Sequence, residues 1–82
     1  MHYNGIYQVM AMLSNNSRNV IGKNIRKFRQ EKGMSQDRLS KFADLSLNTI
    51  VNMESDGNPN PTIETLNKIA NALGIKVDEL IK

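Results

Sequence analysis

The stretch Ser35–Glu54, SQDRLSKFADLSLNTIVNME, decides how the rest of the chain is read. Ser35 precedes an apolar-periodic run and is suited to accept a backbone N–H from the first turn of a helix. Leu39, Phe42 and Ala43 fall at i, i+3 and i+4, the spacing of one buried helical face. Asp44-Leu45-Ser46 breaks that period. Asp tolerates the left-handed backbone a sharp turn needs, though less readily than Gly. Ser46 offers a second cap, and Ile50 and Met53 then carry the apolar face of a second short helix. The prediction is two helices joined by a turn of three or four residues.

Composition bounds what such a unit serves. The chain has 82 residues, 39% hydrophobic and 23% charged, which suits one ordinary small domain. It has no cysteine and a single histidine, His2. Disulfides and thiolate chemistry are excluded, and no metal constellation or cofactor site is expected. The same scarcity removes most acid–base and nucleophilic catalysis, so the chain is not expected to be an enzyme. Asp78-Glu79 reads as favourable charge in a helix first turn, not as a catalytic pair. No apolar run approaches the roughly 20 residues of a membrane span, and no signal-peptide pattern opens the chain. A cytoplasmic location is expected.

The net charge of +3 is unevenly placed. Arg18 to Lys41 carries eight basic residues against Glu31 and Asp37, a net +6, while Phe42 to Lys82 nets −3. A basic half next to two turn-linked helices is the electrostatic footprint of a phosphate-binding surface. Two helices so joined have the form of a helix-turn-helix, whose second helix can enter a major groove.

Ser35–Glu54 resembles the helix-turn-helix of the Cro/cI-type regulators, the XRE family. Ile21-Gly22 with Ile25, Arg26, Phe28 and Arg29 resembles the family's first helix, and Gly33-Met34-Ser35-Gln36 the start of its second. Pro61 to Leu66, Ile69-Ala70, Ala72 to Ile75 and Asp78-Glu79-Leu80 resemble its last two helices. The likeness runs from about residue 20 to 82 in one register. It implies an all-α, five-helix lambda repressor-like DNA-binding domain over residues 21–82, behind an N-terminal extension of residues 1–20. Asp44 stands where the family commonly has Gly, Ser40 where it has Ala, and Leu47 where many members carry a polar or basic residue.

Around this centre the chain reads in order. In the extension, Tyr3, Ile6, Tyr7, Met10 and Leu13 recur at roughly helical spacing. They are read as an extra helix packing on the domain or a second subunit, as a loosely ordered leader, or as residues ahead of a true start at Met10 or Met12. Helix one is expected from about Ile21 to Lys32, closed by Gly33, with Ile21, Ile25 and Phe28 inward. Ser55 to Pro61 is a turn-rich connection in which Gly57 and two prolines oppose helix. Pro61 or Thr62 opens helix four, with Ile63, Leu66, Ile69, Ala70 and Leu73 as its core stripe and Gly74 as its stop. Ile75, Val77, Leu80 and Ile81 suggest a short fifth helix, weakly capped by Lys76. No second domain is expected.

The resemblance also implies site residues. Its register makes Ser46, Leu47, Asn48, Thr49 and Asn52 base-reading residues, with Gln36 nearby. Asn and Gln can bridge adenine N6 and N7, and an apolar side chain can touch a thymine methyl. Without Arg or Lys between Ser46 and Asn52, an A·T-leaning half-site is expected. Ser46 and Thr49 are alternatively helix-end caps, and Leu47 a packing or dimer contact. Expected phosphate contacts are Lys27, Arg29, the helix N-terminus at Gln36, and Ser55 and Asn58 of the following loop. A structural ion pair between Arg29 and Glu54 is implied as well. The expected function is a sequence-specific double-stranded DNA-binding regulator, a homodimeric repressor on an inverted repeat. Alternatives are an antitoxin that also binds a toxin, or a protein-interaction module that kept the fold.

Overall fold

The computed structural model describes residues 20–55 and 61–82, all of whose regular structure is helical. Expectations for the N-terminal extension and for Asn58 fall on residues outside these. Helix α1 covers 20–31, and α2 (Gln36–Ala43), α3 (Leu47–Glu54), α4 (Ile63–Leu73) and α5 (Val77–Ile81) follow.

The helix starts obey local chemistry. Ser35, Ser46 and Thr62 each sit in extended backbone and accept the N–H three residues on, from Arg38, Thr49 and Thr65. Lys76 caps α5 with no side-chain hydrogen bond. Three helix ends share one device. Gly33, Asp44 and Gly74 are left-handed, and the next residue's N–H reaches back five positions, to Arg29, Ser40 and Ala70 O. This double closure satisfies carbonyls that a helix end leaves open.

The core gathers one side of every helix: Ile21 and Ile25 of α1, Leu39 and Ala43 of α2, Ile50 and Met53 of α3, Leu66, Ile69, Ala70 and Leu73 of α4, and Leu80 of α5. α2 packs against both α3 and α4, and α4 holds α5. α5 is also tied to α1, because Asn24 Nδ2 donates to Glu79 O at 3.2 Å and Leu80 O at 2.9 Å. Those bonds occupy the carbonyls of a helix too short to persist alone.

Two expected core residues are outside. Phe42 is 60% exposed and Ile63 69%. The inward stripe of α2 is Gln36, Leu39, Ser40 and Ala43, with Leu39 and Ala43 in the core and Gln36 bonded to α3, which leaves Phe42 on the flank. There the Arg38 guanidinium lies 5.6 Å from its ring centroid. Ile63 is in register with Leu66 and Ile69 but occupies the first position of α4, a turn beyond the buried stretch. Among the described residues, no helix is long and apolar enough to cross a membrane.

Candidate nucleic-acid interface

The turn Asp44-Leu45-Ser46 aims α3. Asp44 adopts φ 58°, ψ 46°, and its helix-ending bonds fix where α2 stops. Ser46 Oγ accepts from Thr49 N at 3.0 Å and shares a 2.8 Å hydrogen bond with Thr49 Oγ1. The start of α3 is therefore held within three residues of the turn. Ser40 is buried at the approach of the two helices, its hydroxyl donating to Asp37 O at 2.6 Å. A small side chain whose polar atom is satisfied by its own helix fits where Ala would.

The far end of α3 is held by charge. Glu54 Oε2 accepts from Arg29 Nε at 2.7 Å, and Oε1 accepts from Arg29 Nη2 and Gln36 Nε2, both at 3.0 Å. Arg26 Nε stands 3.6 Å from Oε1. One carboxylate thus joins α1, α2 and α3. Its side chain is 1% exposed and that of Arg29 12%. Burial pushes the Glu54 carboxyl up, but hydrogen bonds from Arg29 and Gln36, with the charges of Arg29 and Arg26, outweigh it and hold the group below its ordinary value. The hydrogen bond to Glu54 raises Arg29 in turn, against the opposing effect of burial. Among the described residues, no buried side-chain nitrogen or oxygen lacks a partner.

Gly22 closes the same joint from the backbone side. A Cβ there would lie 2.9 Å from Met53 O and 3.2 Å from Glu54 O, so α1 approaches the end of α3 more closely than any other residue permits.

With Ile50, Met53 and Glu54 turned inward, the opposite face of α3 presents Leu47, Asn48, Val51 and Asn52 to solvent. Leu47 is 43% exposed and Val51 40%. Asn48 and Asn52 stand one turn apart, as do Leu47 and Val51. Thr49 is half-buried, its hydroxyl turned to Ser46. The face carries no formal charge.

The other expected site residues divide by what engages them. Lys27 is exposed, Nζ 5.3 Å from the Phe28 ring centroid, and is free for phosphate. Arg29 is not placed for that role: Nη1 donates to Met34 O at 2.8 Å while Nε and Nη2 hold Glu54. The Gln36 side chain is likewise committed to Glu54 through Nε2, which leaves its backbone N–H, in the first turn of α2, for that role. Ser55 is exposed but donates its hydroxyl to Asn52 O at 2.8 Å. Val51 belongs to the outward face and is absent from the sequence-derived set. The signal was present, since it lies one turn from Leu47 and three residues from Asn48. Among the described residues, no cluster of His, Asp or Glu is placed to hold a metal.

Comparison with known proteins agrees with this geometry. A helix-turn-helix family model matches residues 25–80. An uncharacterised HTH-type transcriptional regulator of Sinorhizobium fredii is 34% identical over 64 residues, 78% of this chain and 82% of that protein. The immunity repressor protein of Bacillus phage phi105 is 34% identical over 61 residues, 74% of this chain but only 42% of the repressor. The N-terminal DNA binding domain of SinR from Bacillus subtilis matches with a TM-score of 0.74 at 30% identity, over 78% of this chain and 93% of that one. The fold is thus shared with a regulator's DNA-binding domain, and the chain belongs to the helix-turn-helix family of Cro/cI (XRE) type, a family of DNA-binding transcriptional regulators and not of enzymes.

Proposed function

We propose that this protein is a repressor that binds an inverted repeat as a homodimer, with α3 of each subunit in a major groove. The observation that carries the reading is the outward face of α3: two exposed amides and two exposed aliphatic side chains, held rigidly by the Ser46 cap and the Glu54 joint. Amides at Asn48 and Asn52 suit adenine N6 and N7, and the absence of Arg and Lys on α3 removes the commonest guanine contact. The half-site is therefore A·T-leaning. Affinity comes largely from phosphate contacts, for which Lys27, the exposed Arg26 and the N-terminus of α2 are available. Dimerisation uses α5, where Ile81 is 47% exposed. Half-sites about one helical turn apart follow from two such helices related by a twofold axis. Occupancy of a promoter in the cytoplasm blocks polymerase.

Selection from a random duplex library at about 0.15 M salt, near physiological ionic strength, tests this, with Asn48→Ala/Asn52→Ala run in parallel. Enrichment of a short A·T-leaning inverted repeat by the wild type, lost in the double variant, is expected. Salt-sensitive binding without enrichment would refute sequence reading by α3. Enrichment of a single half-site would refute the dimer, and dominant G·C positions would refute the assigned readers.

A further inference from the structure

The groove-facing side of α3 has a chemical asymmetry that the amides do not explain. Leu47 and Val51 form a ridge along one edge of that face, and their exposure is what remains after the domain has satisfied its own core. Leu47 is 43% exposed and Val51 40%, whereas Leu45, two residues before Leu47, packs against the core. Asn48 shares the exposed face with both, one position from Leu47 and three from Val51. In an A·T pair read at the adenine by Asn48, the thymine methyl lies in the same groove, on the side of the helix face that carries the ridge in one of the two pair orientations.

On the pyrimidine, the major groove offers hydrogen-bonding groups and, in thymine alone among the unmodified bases, a C5-methyl group. An aliphatic ridge has no donor or acceptor for the former. We infer that Leu47 and Val51 recognise the pyrimidine C5-methyl group itself. The protein thus distinguishes thymine from uracil at the contacted positions and responds to C5-methylation of cytosine there. This rests on α3 being the groove-reading helix, and it makes Val51 a specificity-determining residue.

The magnitude follows from apolar burial. A methyl group taken from water is worth about 0.8 kcal/mol, or roughly a fourfold change in affinity. The ridge is supported by a helix held at both ends, so the contact survives small changes in the DNA. A second copy of the chain or another protein covering the ridge is the competing occupant, and it would be indifferent to the methyl.

Duplexes carrying the selected site are made with each thymine of a half-site replaced in turn by deoxyuridine, which removes the methyl and keeps every hydrogen-bonding group. In a second pair, cytosine and 5-methylcytosine occupy the most sensitive position. Dissociation constants are measured for the wild type, Val51→Thr and Leu47→Ala/Val51→Ala. The expected result is about a fourfold loss on uracil substitution at one or two positions and a similar gain from cytosine methylation. Both effects should shrink in the variants while the salt dependence of binding is kept. Val51→Thr preserves shape at an exposed site, so a folding defect does not intervene. A selected site indifferent to uracil at every thymine, or a methyl effect unchanged in both variants, overturns the inference and leaves DNA reading by α3 intact. Failure to enrich any site overturns both.

Discussion

Replacing Glu54 with Gln is close to isosteric, yet the structure gives it a large cost. The carboxylate accepts three hydrogen bonds on two oxygens, from Arg29 Nε, Arg29 Nη2 and Gln36 Nε2. A Gln side chain presents one acceptor, and its NH2 points hydrogens at a donor. It also strands the Arg29 guanidinium, 12% exposed, without its counter-charge. Breaking a buried pair on one side costs about 3–5 kcal/mol, and the residual exposure of Arg29 and Arg26 argues for about 3. A domain of this size has about 4–12 kcal/mol in total. At roughly 4–8 °C per kcal/mol, Tm should fall by about 12–24 °C. The assay is thermal and urea denaturation followed by helical circular dichroism at fixed protein concentration, so that any association does not distort the comparison. Arg29→Met and Arg29→Met/Glu54→Leu complete a cycle. Removing both charges should be less damaging than the sum of the single changes, with a coupling of about 2 kcal/mol or more. A loss below about 1 kcal/mol for Glu54→Gln, or additivity within about 0.5 kcal/mol, would refute the joint as the lock on α3.

Four further outcomes are expected. Because the Glu54 carboxyl titrates below its ordinary value when folded, its contribution is full above the unfolded value and disappears as pH falls through the folded one; the wild-type advantage over Glu54→Gln should therefore shrink in acid, as read from urea midpoints between about pH 7 and 3. Gly22→Ala should lower stability by about 1–3 kcal/mol in the same melts, since the clash with the Met53 and Glu54 carbonyls outweighs alanine's better helix propensity. At Asp44 the order Gly, Asp, Ala should run from most to least stable, with about 1 kcal/mol between Asp and Ala, because φ is 58° there. Asn48→Ala should cost about 1–3 kcal/mol of discrimination against substituted bases in competition binding, and leave Tm within about 2 °C of wild type, since the residue is exposed.

What the sequence revealed tracks the range of the interactions. Caps at Ser35, Ser46 and Thr62 and stops at Gly33, Asp44 and Gly74 are bonds within three to five residues, so they are legible from residue type and spacing. Ile50 with Met53, and Leu66 with Ile69, Ala70 and Leu73, follow helical period and are buried as expected. Period finds a face but not its centre. Phe42 and Ile63 fit the pattern and lie outside it because the buried side of α2 is centred on Leu39, Ser40 and Ala43, and α4 begins before its cover does. Gln36 has the chemistry of a base reader, and only the position of Glu54, 18 residues on, shows that its amide is committed elsewhere. The Arg29–Glu54 pair was implied by family likeness, not by periodicity. Nothing in the sequence pointed to Asn24, whose partners are 55 and 56 residues away.

Those two bonds from Asn24 also set a schedule. During synthesis, α1 emerges early, but its side-chain amide has no partners until Glu79 and Leu80 have been added. At about 5–20 residues per second, the interval is roughly 3–11 s. The residues of the turn and of α3 are made well before then, so the bonds between the first and last helices are among the last that the growing chain can form. The tie from α5 back to α1 therefore needs the chain through Leu80, and the domain cannot be closed before that wait is over.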